Sequence, residues 1–441
     1  MSPDLTVGMI VLMPAIGALA VLALRHRPLA RDVATIVTGV ATFSVLLTLV
    51  PVVSAGGRPG FELLSFVPGL SFAFEVEPLG LLYALVAAGL WILTSLYAIG
   101  YMRQQKEENL GRFFAFFAIA ICASLGIAFS RNLLTLFLFY EVLTLCTFPL
   151  VTHRGNESAK QAGRVYLGLL LFTSVTFLFL AIAWTWLATG TLEFTPGGVL
   201  SGKVDDGHAT LLLALFAFGT GKAALMPFHR WLPRAMAAPA PVSALLHAVA
   251  VVKAGAFTVV KVVVYIFGLS HLRETGISEW LTYAAAITVL LASAIALSKD
   301  NLKARLAYST ISQLAYIVLG AAMATTAGIL GAGLHIAMHA MGKITLFLCA
   351  GAIYSVTKQI ELKHMNGVGR IMPWTMGAFA LASLSLVGVP PGGGMWSKWL
   401  LVSGALEAGQ PLLVACLLVS SLLSVAYLLP IISRAFFSPP S

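Results

Sequence analysis

The sequence predicts an all-α polytopic membrane protein of about 13 transmembrane helices, arranged as two inverted five-helix repeats with two broken helices. Three observations predict it. Of 441 residues, 59% are hydrophobic and only 10% charged, against about 25% charged in soluble domains. Apolar runs of about 20 residues, the length that crosses a bilayer, recur from end to end. Two of these runs are interrupted by glycine and proline beside a lysine.

The spans are expected at about 7–24, 32–53, 78–100, 113–129, 132–152, 164–188, 210–228, 240–269, 279–298, 304–323, 327–356, 373–402 and 411–433. The first follows Asp4 and precedes Arg25, Arg27 and Arg31. It lacks the positive start of a signal peptide and reads as a retained span. Two long connections, 54–77 and 189–209, are rich in Gly, Pro and Ser and read as loops. Three units follow: an N-terminal three-helix membrane segment (1–112), a first repeat (113–269, spans four to eight) and a second repeat (279–434, spans nine to thirteen).

Orientation follows from the loops, where Lys and Arg accumulate on the cytoplasmic side. With the N-terminus outside, 18 basic residues fall in inner loops, Lys303 and Arg305 among them, and four outside. The C-terminus is then cytoplasmic and the location a cell membrane. This distribution explains the net charge of +10 without nucleic acid. Cys122, Cys146, Cys349 and Cys416 are scattered, so neither a disulfide framework nor a zinc site is expected.

Five lysines, Lys222, Lys253, Lys261, Lys343 and Lys398, fall inside spans. Each costs roughly 2.5–3.5 kcal/mol at a helix centre, so they face water, partners or one another. Glu141 is the one clear carboxylate deep in a span and cannot pair them all. Groups that gain and lose protons inside a membrane make a relay; snorkelling to the interface or structural pairing are the alternatives. His335, His339 and Lys343 recur every fourth residue and share one helix face. A proton path, a structural pair and a metal or haem site are the readings open to the histidines; no Cys or carboxylate in the span completes a metal site. His247 is a further candidate of the same kind.

The seventh span reads Gly219-Thr220-Gly221-Lys222 and then Pro227. The twelfth reads Gly388-Val389-Pro390-Pro391-Gly392-Gly393-Gly394 and then Lys398. Proline removes a helical donor, and irregular backbone at membrane depth survives only inside protein or beside a cavity. Breaks five spans apart, each beside a lysine, point to inverted repeats and a transport site. A phosphate loop is excluded at 216–223, where Phe216 and Ala223 stand in place of Gly and Ser/Thr.

Lys222-Ala-Ala-Leu-Met-Pro-Phe-His-Arg-Trp-Leu-Pro, the run from Lys303 to Tyr316, His335-Ile-Ala-Met-His-Ala-Met-Gly-Lys, Ser385-Leu-Val-Gly-Val-Pro-Pro with Ser397-Lys398, and Asn132 to Glu141 together resemble the antiporter-like subunits of Mrp-type cation/proton antiporters, respiratory complex I and membrane-bound hydrogenases. The likeness runs from about 75 to 435 and is nearest to the D-type member of Mrp antiporters and the shorter complex I members. It implies fourteen spans, of which the last is not expected here, and two half-channels. It implies ion-path roles for Glu141, Lys222, Lys253, His335, His339 and Lys398, with Glu141 paired to Lys222. It implies related membrane subunits as partners, H⁺ or H⁺/Na⁺ as cargo, and no cofactor. Whether the chain serves a redox-driven ion translocase is left open by the likeness. The competing functions are a structural subunit with a vestigial path, a membrane component of a hydrogenase or of inorganic-carbon uptake, a haem- or quinone-holding enzyme, and a self-sufficient carrier.

Overall fold

The computed structural model describes residues 2–67 and 70–439, without the side chains of residues 67, 246 and 247. The chain opens with helices α1 (Pro3–Ala23), α2 (Pro28–Leu47) and α3 (Val50–Ser54). Strands β1 (Gly60–Val67) and β2 (Leu70–Glu75) follow, paired antiparallel with Phe61 opposite Phe74. The expectation of a loop at 54–77, and of a purely α-helical fold, is corrected here. The aromatic cross-strand pair Phe61–Phe74, stacked at 5.1 Å, favours pairing, and Phe72 faces Leu64 across the strands. Asp4 at the start of α1 accepts a hydrogen bond from Gly60 N at 2.9 Å and ties the hairpin to the helix.

Next come α4 (Pro78–Gln104), α5 (Leu110–Ala128), α6 (Leu133–Val151), α7 (Glu157–Thr173) and α8 (Phe179–Thr189), the last two joined by a π-wound turn over Ser174–Leu178. Then α9 (Asp206–Gly219), α10 (Trp231–Arg234), α11 (Ala240–Ala244), α12 (Val251–Val262) and α13 (Leu269–Thr275) lead to α14 (Glu279–Leu297), α15 (Leu302–Ala322) and α16 (Thr326–Thr357). Short α17 (Val368–Ile371) precedes α18 (Pro373–Val387), α19 (Gly393–Glu407) and α20 (Pro411–Phe437).

Side-chain caps set several starts. Asn132, Asn156, Asp205, Asn301 and Thr325 each accept from a backbone N–H in the first turn of α6, α7, α9, α15 and α16, satisfying donors the helix leaves free.

Among the described residues, nine helices are long and apolar enough to cross a membrane, or ten if the 80° bend between Val251–Phe267 and α13 belongs to one span. The protein is a polytopic helical membrane protein. Helices α9 and α18 are apolar but shorter, and α15 is long but carries Ser309, Ser312, Gln313 and Tyr316. Those polar side chains are tolerated because α15 is interior: nearly all its residues are buried, as is every residue of α12. The periphery is the reverse. Leu5, Leu12, Ile16 and Leu19 of α1 stand exposed, as expected of a face that meets lipid.

Candidate functional site

Helices α12, α15, α16 and α19 meet in the interior and bring ionisable side chains into one file. Lys253 of α12 is fully buried, and its ammonium touches Nδ1 of His339 on α16. One turn earlier, the His335 ring stacks on that of His339 with centroids 5.8 Å apart. The 3.6-residue period therefore places the two rings in contact, as their spacing requires. His335 Nδ1 lies 2.9 Å from Ser397 Oγ on α19, and Nε2 lies 3.1 Å from Gln313 Oε1 on α15. Tyr316 stacks on His335 at 5.5 Å, and the Lys398 ammonium sits over the same Tyr316 ring at 5.3 Å. Lys398 Nζ donates to Val387 O at 2.9 Å and to Ser421 Oγ at 3.1 Å.

The result is a continuous line, Lys253–His339–His335–Tyr316–Lys398, crossing between α12 and α19 through buried protein. Among the described residues no carboxylate forms an ion pair with Lys253, His335 or Lys398. Neutral oxygens, an imidazole and an aromatic face hold the lysines, so the line can give up a proton without leaving an unmatched anion behind. Lys343, one turn beyond His339, points to a side branch. It donates to Leu306 O at 3.2 Å and Ser309 Oγ at 2.7 Å, and Ser309 continues to Tyr427 at 2.8 Å.

Lys222 occupies the turn Gly221–Ala223 that follows the end of α9. Its ammonium donates to Tyr140 O at 2.9 Å and Thr144 Oγ1 at 2.6 Å, and lies 3.1 Å from the centre of the Tyr140 ring. All three contacts are on α6, the helix that carries Glu141. Glu141 itself forms no ion pair, and neither of its carboxylate oxygens has a hydrogen-bond partner among the described residues. The expected Glu141–Lys222 contact is thus open in this structure, because Lys222 reaches the Tyr140–Thr144 face instead. Glu141 flanks the exposed stripe Leu138, Val142 and Leu145.

Pro227 lies in the irregular stretch between Ala223 and Trp231, and Pro390 and Pro391 lie between α18 and α19. Ala224 turns with φ +55° and Gly388 with φ +98°. At Gly255 a Cβ would collide with the backbone of Lys222 and Ala223, so this glycine lets α12 abut the turn that carries Lys222. His247 lies on the π-wound turn Leu245–Val249; its side chain is outside the described residues.

Sequence reasoning missed three features. Glu77, just ahead of α4, is 4% exposed and lies 3.0 Å from Lys261 Nζ. Lys261 also donates to Ser130 O at 2.7 Å, so it is partnered rather than snorkelling. Lys303 and Arg305, expected in an inner loop, are buried: Lys303 donates to Ala238 O and Arg305 to Tyr427 O, each at 3.0 Å. Gln313 and Tyr316 complete the histidine site; their spacing from Ser309 along α15 was the available signal.

Two family models match the sequence: the transmembrane family of NADH:quinone oxidoreductase and Mrp antiporter over residues 130–424, and the N-terminus of chain 5 of NADH-ubiquinone oxidoreductase (complex I) over residues 68–114. The N-type subunit of NADH-quinone oxidoreductase from Desulforudis audaxviator is 34% identical over 84% of this chain and 74% of its own length. A probable K⁺/H⁺ antiporter protein of the A/B type from Rhizobium meliloti is 31% identical over 90% of this chain and 40% of its own. The chain spans about half the length, or less, of the chain 5 and antiporter relatives it matches. In fold it resembles a chain of the Mrp complex from Dietzia sp., with TM-score 0.90 at 24% identity, covering 100% of this chain and 82% of that one. The matched segment contains every residue of the buried line, and with it this chain belongs to the NADH:quinone oxidoreductase/Mrp antiporter family of membrane subunits.

Proposed function

We propose that the chain is an ion-translocating subunit of a larger cell-membrane complex, carrying protons or exchanging them for Na⁺. The observation that carries this reading is the buried line from Lys253 through His339 and His335 to Lys398. Lysine ammonium and imidazole adjoin one another there, and each is a group that can take up and release a proton. Membership of a family that includes antiporter and quinone oxidoreductase subunits supports it. Glu141, Lys222 and His247 extend the path in the first repeat, and Lys343 branches from it.

The reading includes thirteen spans with the N-terminus outside and the C-terminus cytoplasmic. It divides the chain into the segment 1–112 and inverted repeats 113–269 and 279–434. Matched bridges favour the repeats: Asn132 pairs with Glu193 across the first, and Asn301 with Glu361 across the second, and both asparagines cap the helix that follows. Glycine and proline interrupt the seventh and twelfth spans beside Lys222 and Lys398. Its partners are other membrane subunits, including related antiporter-like ones, and the bilayer.

The test is proton flux in membrane vesicles holding the assembled complex. Lys253→Met and His339→Gln should each abolish flux while the subunits still co-purify. Normal flux in both variants would overturn the path.

A further inference from the structure

We propose that a basic pocket between α1, α2 and α5 binds the headgroup of an anionic phospholipid, whose acyl chains run along α1. The inference requires only that the protein sits in a bilayer, and is independent of the transport reading.

The pocket, about 600 Å³, lies where α1 ends and α5 begins; its polar lining includes Arg25, His26, Arg31 and Arg112 and no carboxylate. Arg31 forms its buried wall, 5% exposed, with its guanidinium 5.6 Å from the centre of the Phe114 ring. Asp32 holds that guanidinium through bonds of 2.9 and 2.7 Å to one oxygen, and binds Arg103 through the other. This carboxylate is therefore saturated by two arginines and leaves the group cationic. Arg25 and Arg112 have no ion-pair partner among the described residues. Gly111 packs directly on the Arg25 Cα and Cβ, which sets Arg25 beside the start of α5, where Arg112 also lines the pocket. Arginine forks match phosphate oxygens in pairs.

The apolar half of the ligand is written on α1. Leu22 lines the pocket, and Leu19, Ile16, Leu12, Met9 and Leu5 continue from it up one exposed helix face. The outer half of that face forms an apolar groove of about 410 Å³ under Phe61. A cationic pocket continuous with an apolar stripe fits an anionic amphiphile. Basic pockets between membrane helices bind such headgroups. Free phosphate would use the pocket but not the stripe; a partner helix would use the stripe but not the pocket.

The detergent-purified full-length protein tests this by its apparent melting temperature, read from tryptophan fluorescence. Dioleoyl phosphatidylglycerol should raise it by a few degrees, as any ligand of the folded state does. Dioleoyl phosphatidylcholine and inorganic phosphate should not. The double variant Arg25→Gln/Arg112→Gln should lose the rise, and Arg27→Gln, outside the pocket, should keep it. An equal rise with phosphatidylcholine, which a chain-only or helix-docking face would give, overturns the proposal. So does a rise with phosphate alone, or an undiminished rise in the double variant. The wild-type comparison of the two lipids decides without any variant.

Discussion

Lys222 and Glu141, a base and an acid on neighbouring elements, do not touch. Lys222 is held by Tyr140 O and Thr144, while Glu141 keeps two buried oxygens without a hydrogen-bond partner among the described residues. A buried charge left unpaired costs roughly 3–5 kcal/mol, so the proposed path predicts that this contact closes at another stage of transport. Glu141→Ala and Lys222→Ala should each stop transport with assembly intact, and Glu141→Asp should keep part of it. Measuring abundance and transport together separates this from scaffolding. If the double variant recovers both, the pair is a static bridge. The residue types were legible in the sequence because lysine in an apolar run is anomalous whatever the fold. Their partners were not: Tyr140, Thr144, Gln313 and Ser397 are ordinary residues whose meaning depends on which helix faces which. Glu77 escaped notice for a related reason. It stands outside an apolar run, where carboxylates are common, and only the packing of α12 buries it.

At the level of elements, long apolar runs gave the helices with little ambiguity, while their asparagine and threonine caps, a local signal, were found in the structure. The hairpin β1–β2 did not show, because Gly57, Pro59 and Gly60 at its entrance read as loop punctuation. Helix α15 was legible as a span at 304–323, but its burial was not; that comes from its neighbours in the interior. One tight junction is the approach of α12 to the turn bearing Lys222, which depends on Gly255. Gly255→Leu should separate the two elements and sharply reduce folded protein. Val259→Leu, one turn along the same helix and 4% exposed, should be far milder, since volume changes of this size cost about 1–3 kcal/mol. Quantitative immunoblotting of membranes carrying each variant reads the difference, and equal abundance would show that α12 has room to retreat.

At the scale of the whole molecule, the proposed orientation rests on charge asymmetry between the two membrane faces. A reporter fused after Ser441 should be active only in the cytoplasm; activity outside the cell would reverse the orientation and the span count with it. The fold class was legible because the bilayer leaves few options for a chain this apolar. The count of spans was less so, since the seventh and twelfth expected spans fall on helices α9 and α18, which are apolar but short and end at breaks. One buried contact has a consequence in time. Glu77 leaves the ribosome with the first spans, but Lys261, its counter-ion, arrives only with α12. Until then the nascent chain holds this carboxyl without its counter-ion. The contact therefore ties a residue made early to one made much later, and the start of α4 gains this partner only after α12 is in place.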